Sequence, residues 1–186
     1  MLEIRPAALA EFSLLTAIET AADALLAASC GISAACMPAA VISAAAKIPA
    51  TAGPPVAAAS AGFAAALHIL VAGRPPVGFA RLEEVDGQAH LEQLSVLPEH
   101  ASQDVGRALV CAALAWATES GYTAMTLDTF EAVPFNAPFY ASCGFAADPD
   151  PGPVLVRRRL QERESGLDAL GPRLAMRITL QTGHRE

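Results

Sequence analysis

The sequence predicts an α/β fold of the mixed α+β kind: a central, mostly antiparallel sheet of about seven strands, its fourth and fifth strands parallel, flanked by helices. Three observations carry this. Apolar runs at Phe63–Val71, Val77–Val85 and Ala89–Leu97 are joined by short turns, Gly73-Arg74-Pro75-Pro76 and Asp86-Gly87, so they must be antiparallel neighbours. From Ala89 to Asp128 a strand, a helix and a strand follow in order, which sets the two strands parallel through a right-handed crossover. Near the end Leu174, Met176, Ile178 and Leu180 alternate, marking a last strand. The 186 residues suffice for a single domain, 1–186, and neither a repeat nor a linker divides them.

Element by element, Glu3 to Pro6 is a short first strand, stopped by Pro6. Ala8 to Ala28 has a helical spread of apolar residues that includes Phe12, Leu15, Ile18 and Leu25, with Glu11, Glu19 and Asp23 on its polar side and Gly31 as its stop. Residues 30–62 are Ala-rich and of low complexity, with Pro38, Pro49, Pro54 and Pro55; a helix near 39–46 and a loop at 49–55 are expected there. Val105, Ala108, Leu109, Ala112, Ala113 and Trp116 form one helical stripe, closed at Gly121. Asn136-Ala137-Pro138 opens a short helix with Asn136 as cap and Pro138 early, where its missing donor costs nothing; Gly144 ends it and Phe145 starts a strand. Val154 to Ser165 reads as a helix with an arginine-rich outer face.

The net charge is −7, with acids dominating between Arg81 and Asp150 and arginines from Arg157 onward. Nucleic-acid binding needs a basic footprint, which is missing. The cysteines, Cys30, Cys36, Cys111 and Cys143, have neither zinc-site spacing nor a disulfide framework, so no metal is expected and buried free thiols are the default. The start, Met-Leu-Glu-Ile-Arg-Pro, lacks the pattern of a leader, and a reducing cytoplasm is the simplest compartment. Asp23 to Lys47 is an uncharged run long enough to span a bilayer, but its alanines and the breaks at Gly31 and Pro38 favour buried or pocket-lining helices over a membrane segment.

The chemistry centres on 91–109. A strand stops at Pro98, and small and polar residues lead into the helix at Val105. The first turn of a helix leaves backbone N–H groups without partners, and the dipole adds roughly half a positive charge there. Gly106 and Ala108 keep the approach open, so this turn is an anion cradle suited to a phosphorylated cofactor.

The run Gln103-Asp104-Val105-Gly106-Arg107-Ala108 fits Q/R-x-x-G-x-G/A, and Phe139-Tyr140-Ala141-Ser142-Cys143-Gly144-Phe145 follows it. Together, from about Val77 to Ala147, these motifs resemble the GNAT superfamily of acyl-CoA-dependent N-acyltransferases, and Leu127 to Phe145 is similar to a bacterial small-molecule acetyltransferase subgroup. The resemblance implies a GNAT-like fold and transfer of acetyl from acetyl-CoA to a primary amine of a small molecule, by direct attack; a protein or peptide acceptor, or a non-catalytic acyl-CoA-binding module, are the alternatives. It leaves a homodimer open. By the same resemblance, Gln103, Asp104, Val105, Gly106, Arg107 and Ala108 hold the pyrophosphate, and Leu94, Ser95 and Val96 pair through backbone with the pantetheine arm. The resemblance also implies that Tyr140 lies beside the cofactor sulfur and protonates the departing thiolate. Glu92 is the general base, directly or through water, with Glu83, Glu84 and His90 as weaker candidates. Simple alternation puts Glu92, Leu94 and Val96 on one face. Asn136 either contacts the cofactor arm or caps its helix. Two positions depart from the family: Asp104 stands where glycine is usual, which predicts a weaker hold on pyrophosphate, and Val133 where an asparagine is usual.

Overall fold

The structure, a computed structural model, describes residues 2–29, 62–164, 166, 168 and 171–181. The helix expected near 39–46, the loop at 49–55 and the stop at Gly31 lie outside the described residues.

Short turns between alternating apolar runs give a meander of β1 (Ile4–Pro6), β2 (His68–Ala72), β3 (Gly78–Val85) and β4 (Gln88–Val96), each antiparallel to the next. Asp86 (φ +51°) and Gly87 (φ +72°) supply the two left-handed residues that match a tight hairpin to strand twist. β5 (Ala124–Phe130) lies parallel to β4, and β7 (Arg173–Thr179) runs antiparallel to β5 and to β6 (Ala146–Ala147). The sheet therefore has seven strands in the order β1-β2-β3-β4-β5-β7-β6, with the parallel pair where the sequence predicts it.

Alternation along β2 divides the core. Ile69 and Val71 point to one face, where α1 (Phe12–Ser29) adds Leu15 and Ile18. Leu70 and Ala72 point to the other, where α2 (Val105–Glu119) buries Val105, Leu109, Val110, Ala113 and Ala117. At roughly 1.5–3 kcal/mol for each fully buried Val or Leu, this stripe fixes α2 firmly on the sheet. α3 (Ala137–Ser142) and α4 (Pro153–Glu164) follow β5 and β6.

Four expectations are corrected. The strand expected at 63–71 begins only at His68; Phe63 sits in a helical turn and meets the Phe79 ring edge-on at 5.3 Å. Glu19 and Asp23 do not face solvent from α1: Glu19 is buried against the sheet and Asp23 lines a cavity. The arginines of α4 are not all on its outer face. Arg158 and Arg159 turn inward, and Val156 and Leu160 are left exposed instead. Finally, Glu92 does not share a face with Leu94 and Val96. Arg81 pairs with Gln93 but Leu82 pairs with Leu91, so Glu92 is an extra residue on β4. The bulge shifts the phase of the strand, which is why Leu91 and Leu94 both pack on the α2 side.

Candidate active site

β4 and β5 part company early. Their parallel register holds only at Ala89↔Met125 and His90↔Thr126. The buried His90 and Thr126 side chains meet there, with Nδ1 and Oγ1 2.8 Å apart. Beyond that point Glu92 bulges, and Leu94, Ser95 and Val96 keep β3 on one edge while the other edge lines a cavity of about 460 Å³.

The N-terminus of α2 opens onto the same cavity. Ala108 donates its N–H to the Asp104 carbonyl at 2.9 Å, the first bond of the helix. Of the six loop residues, Ala108 is thus engaged within the helix, while the amides of Val105, Gly106 and Arg107 have no backbone partner among the described residues. The Val105 side chain is core, and Asp104, Gly106 and Arg107 line the cavity. Gly106 keeps the surface low: a Cβ there would lie 3.4 Å from the Phe139 ring. Gln103 folds back instead, meeting His100 at 3.1 Å and donating to the Glu99 carbonyl at 3.3 Å. Arg107 braces α2 to α3 through the Ser142 hydroxyl (2.9 Å) and carbonyl (3.1 Å). Asp104 adopts φ +56°, the left-handed region that glycine favours. The usual glycine at this position has a backbone reason, not only an electrostatic one.

α3 supplies the opposite wall. The Asn136 side chain forms no capping hydrogen bond, against the expectation, and lines the cavity; its carbonyl accepts the Tyr140 N–H at 2.9 Å. Tyr140 faces the cavity too, its ring held edge-on by Phe139 (5.2 Å) and Phe145 (6.0 Å). Burial pushes its hydroxyl well above the ordinary tyrosine value, with Cys143 a lesser cause, so it stays protonated. Val133 is buried and serves the core.

The remaining wall is charged, and sequence reasoning missed most of it. Arg158 donates to Glu92 and to Glu83, each at 2.9 Å, and Arg81 approaches Glu92 at 3.6 Å. Arg159 pairs with Asp128 at 3.4 Å, and Arg173 with Glu162 at 3.2 Å. Burial raises the Asp128 carboxyl to about 6, with Arg173 and Arg159 opposing and Glu162 assisting. Asp23 closes the cavity from α1. Burial, then the charge of Glu19, raises its carboxyl to about 7. Glu92, Asp128, Glu162, Arg158 and Arg173 all face this space. The arginine run of α4 was the available signal, but its partners lie on distant strands.

A seven-stranded sheet forked at its parallel pair, with a helix N-terminus and a tyrosine facing one cavity, defines an acyltransferase architecture. The model of the acetyltransferase (GNAT) family matches residues 52–145, and the chain belongs to that family, an enzyme family of acetyl transfer. Solved structures share the fold. A GCN5-related N-acetyltransferase from Rhodopseudomonas palustris is 23% identical, with 96% of this chain and 95% of that chain covered at a TM-score of 0.65. The PaiA N-acetyltransferase from Thermoplasma acidophilum, solved with coenzyme A, is 15% identical, with coverage of 96% and 99% and a TM-score of 0.67. The ribosomal-protein-S18-alanine N-acetyltransferase from Escherichia coli is 16% identical, with coverage of 100% and 99% and a TM-score of 0.59. No helix among the described residues is long and apolar enough to cross a membrane.

Proposed function

We propose that this chain is one catalytic domain that acetylates a primary amine of a small molecule, with acetyl-CoA as donor. The observation that carries the reading is the fork itself: unpaired strand edge, unpaired helix amides and tyrosine all border one cavity. The residues fit the donor. Amides of Val105, Gly106 and Arg107 would hold its pyrophosphate at a site that any side chain on residue 106 would narrow. Leu94, Ser95 and Val96 would pair with its extended arm by strand addition, and Asn136 offers a further polar contact. Acetyl-CoA, when bound, supplies an acyl group activated as a thioester.

Tyr140 then has the right protonation state to give its proton to the leaving sulfur. Glu92, the base candidate from the sequence, is tied to Arg158 and Arg81, and we assign it the part of a fixed anion that draws a cationic amine to the fork. The acidic surroundings favour a small amine over a peptide, which the same assay separates. Thiol release from acetyl-CoA should be measured across polyamines, amino acids, aminoglycosides and peptides; activity confined to peptides would reverse the acceptor assignment. Tyr140→Phe should lower kcat about 10²-fold while leaving the Kd for coenzyme A unchanged. Full turnover by that variant at saturating substrate would remove the acid role.

A further inference from the structure

A cationic amine must lose a proton to attack, and five carboxylates line the cavity: Asp104, 3.9 Å from Arg107; Glu162, paired with Arg173 at 3.2 Å; and Glu92, Asp128 and Asp23. Glu92 and Asp128 are committed to cations as well. Glu92 accepts from Arg158 at 2.9 Å and lies 3.6 Å from Arg81; Asp128 lies 3.4 Å from Arg159. A carboxylate oxygen that already accepts from a guanidinium is less basic and less open to a visiting proton. Asp23 differs. It stands on α1, facing the cavity beside Ala22, Leu25 and Leu26, and makes no ion pair among the described residues.

Its surroundings also suit the task. Glu19 sits one helical turn earlier, on the same inward face, where residues four apart are neighbours. Glu19 is itself held by Gln93, with Arg81 of β3 the nearest opposing charge. The other charged or titratable groups facing the cavity are Glu92 and His90 of β4, Asp104 and Arg107 at the start of α2, Asp128 of β5, Tyr140 of α3, Arg158 and Glu162 of α4, and Arg173 of β7. The acids outnumber the free cations because each of these arginines already has a carboxylate partner.

We propose that Asp23 is the proton acceptor of the reaction and that Glu19 tunes it. This rests on the acetyl-transfer reading above. In the step, the amine nitrogen bonds to the acetyl carbon as one ammonium proton and then one amine proton are released, the first to Asp23 before attack and the second to water. The carbon–sulfur bond breaks, the sulfur takes its proton from Tyr140, which recovers one from solvent, and Asp23 returns its proton to solvent, so one proton is released per turnover. Asp23 must be ionised to act, so kcat/KM rises with pH through about 7, the value that burial and Glu19 give its carboxyl.

The test combines titration with rate. Carboxyl 13C NMR of the ligand-free protein should show Asp23 titrating near 7, and Glu19→Gln should move that midpoint to lower pH by removing a like charge. The acidic limb of the pH–rate profile should move with it. Asp23→Asn should lose about 10²-fold or more in kcat and lose the limb, while still binding coenzyme A. Glu92→Gln should raise KM for the amine and keep the limb. The assignment is overturned if Asp23→Asn keeps the acidic limb, if Glu92→Gln abolishes it, or if Asp23 titrates near 4 in the ligand-free protein. Absence of thiol release by the wild type with every amine would remove the acetyl-transfer reading, and this assignment with it, whatever the titration shows.

Discussion

α2 and α4 both border the cavity, yet they are attached by opposite means. α2 buries five apolar side chains against the sheet and makes hardly any polar contact with it. α4 buries only Leu155 and turns arginines inward, with Arg158 and Arg159 side chains 20% and 28% exposed while Leu160 is 54% exposed. Its first turn is capped from afar: both Asp86 oxygens accept N–H groups, of Val154 and of Leu155, at 3.0 Å. Gly152 permits that approach, since a Cβ there would come within 2.4 Å of Asp86. The α2 side of the cavity is thus held by non-directional burial, which fixes position without needing particular partners. The α4 side is held by paired charges, whose geometry and strength depend on each partner being present.

The contrast can be broken or sharpened by substitution. Leu109, fully buried in α2, should show the largest effect: Leu109→Ala lowers unfolding free energy by about 2–5 kcal/mol in urea titration, equally at low and high salt. Arg158→Met should cost less, about 1–3 kcal/mol, because its side chain is partly solvated; the loss should shrink in the double variant with Glu92→Gln, which removes the carboxylate left without its cation. Equal costs for the two single variants, or no coupling in the double, would erase the distinction between the helices. Smallest is Asp104→Gly. Relief of a left-handed aspartate should add about 1 kcal/mol to stability and tighten coenzyme A binding a few-fold, read by thermal melt and calorimetry.

The same contrast explains what could be read from the sequence. Local periodicity carried the meander, α2 and the parallel pair, since burial there follows directly from 2.0 and 3.6 spacing. The loop before α2 was legible for the same reason: its amides are free by construction of any helix start. The family resemblance added the roles proposed above for Tyr140 and for the strand edge at Leu94–Val96. Where burial is polar, periodicity misled. Arg158, Arg159, Glu19 and Asp23 were assigned to solvent because charge usually lies there, and their inward partners sit on strands far away in sequence. The Glu92 bulge was equally hidden, because alternation assumes an uninterrupted strand. Asp104 was noticed for its charge, whereas its backbone conformation is the stronger reason that glycine suits that place.

Asp86 ties the start of α4 to a turn 68 residues earlier. α4 buries only Leu155, so the Asp86 cap at the tip of the β3–β4 hairpin helps to set its axis. An insertion or a deletion at that tip, remote from any substrate, would swing Arg158 and Glu162 relative to the fork. Under the acceptor role proposed for the charged wall, the hairpin turn becomes a lever on acceptor choice that lies outside the chemistry.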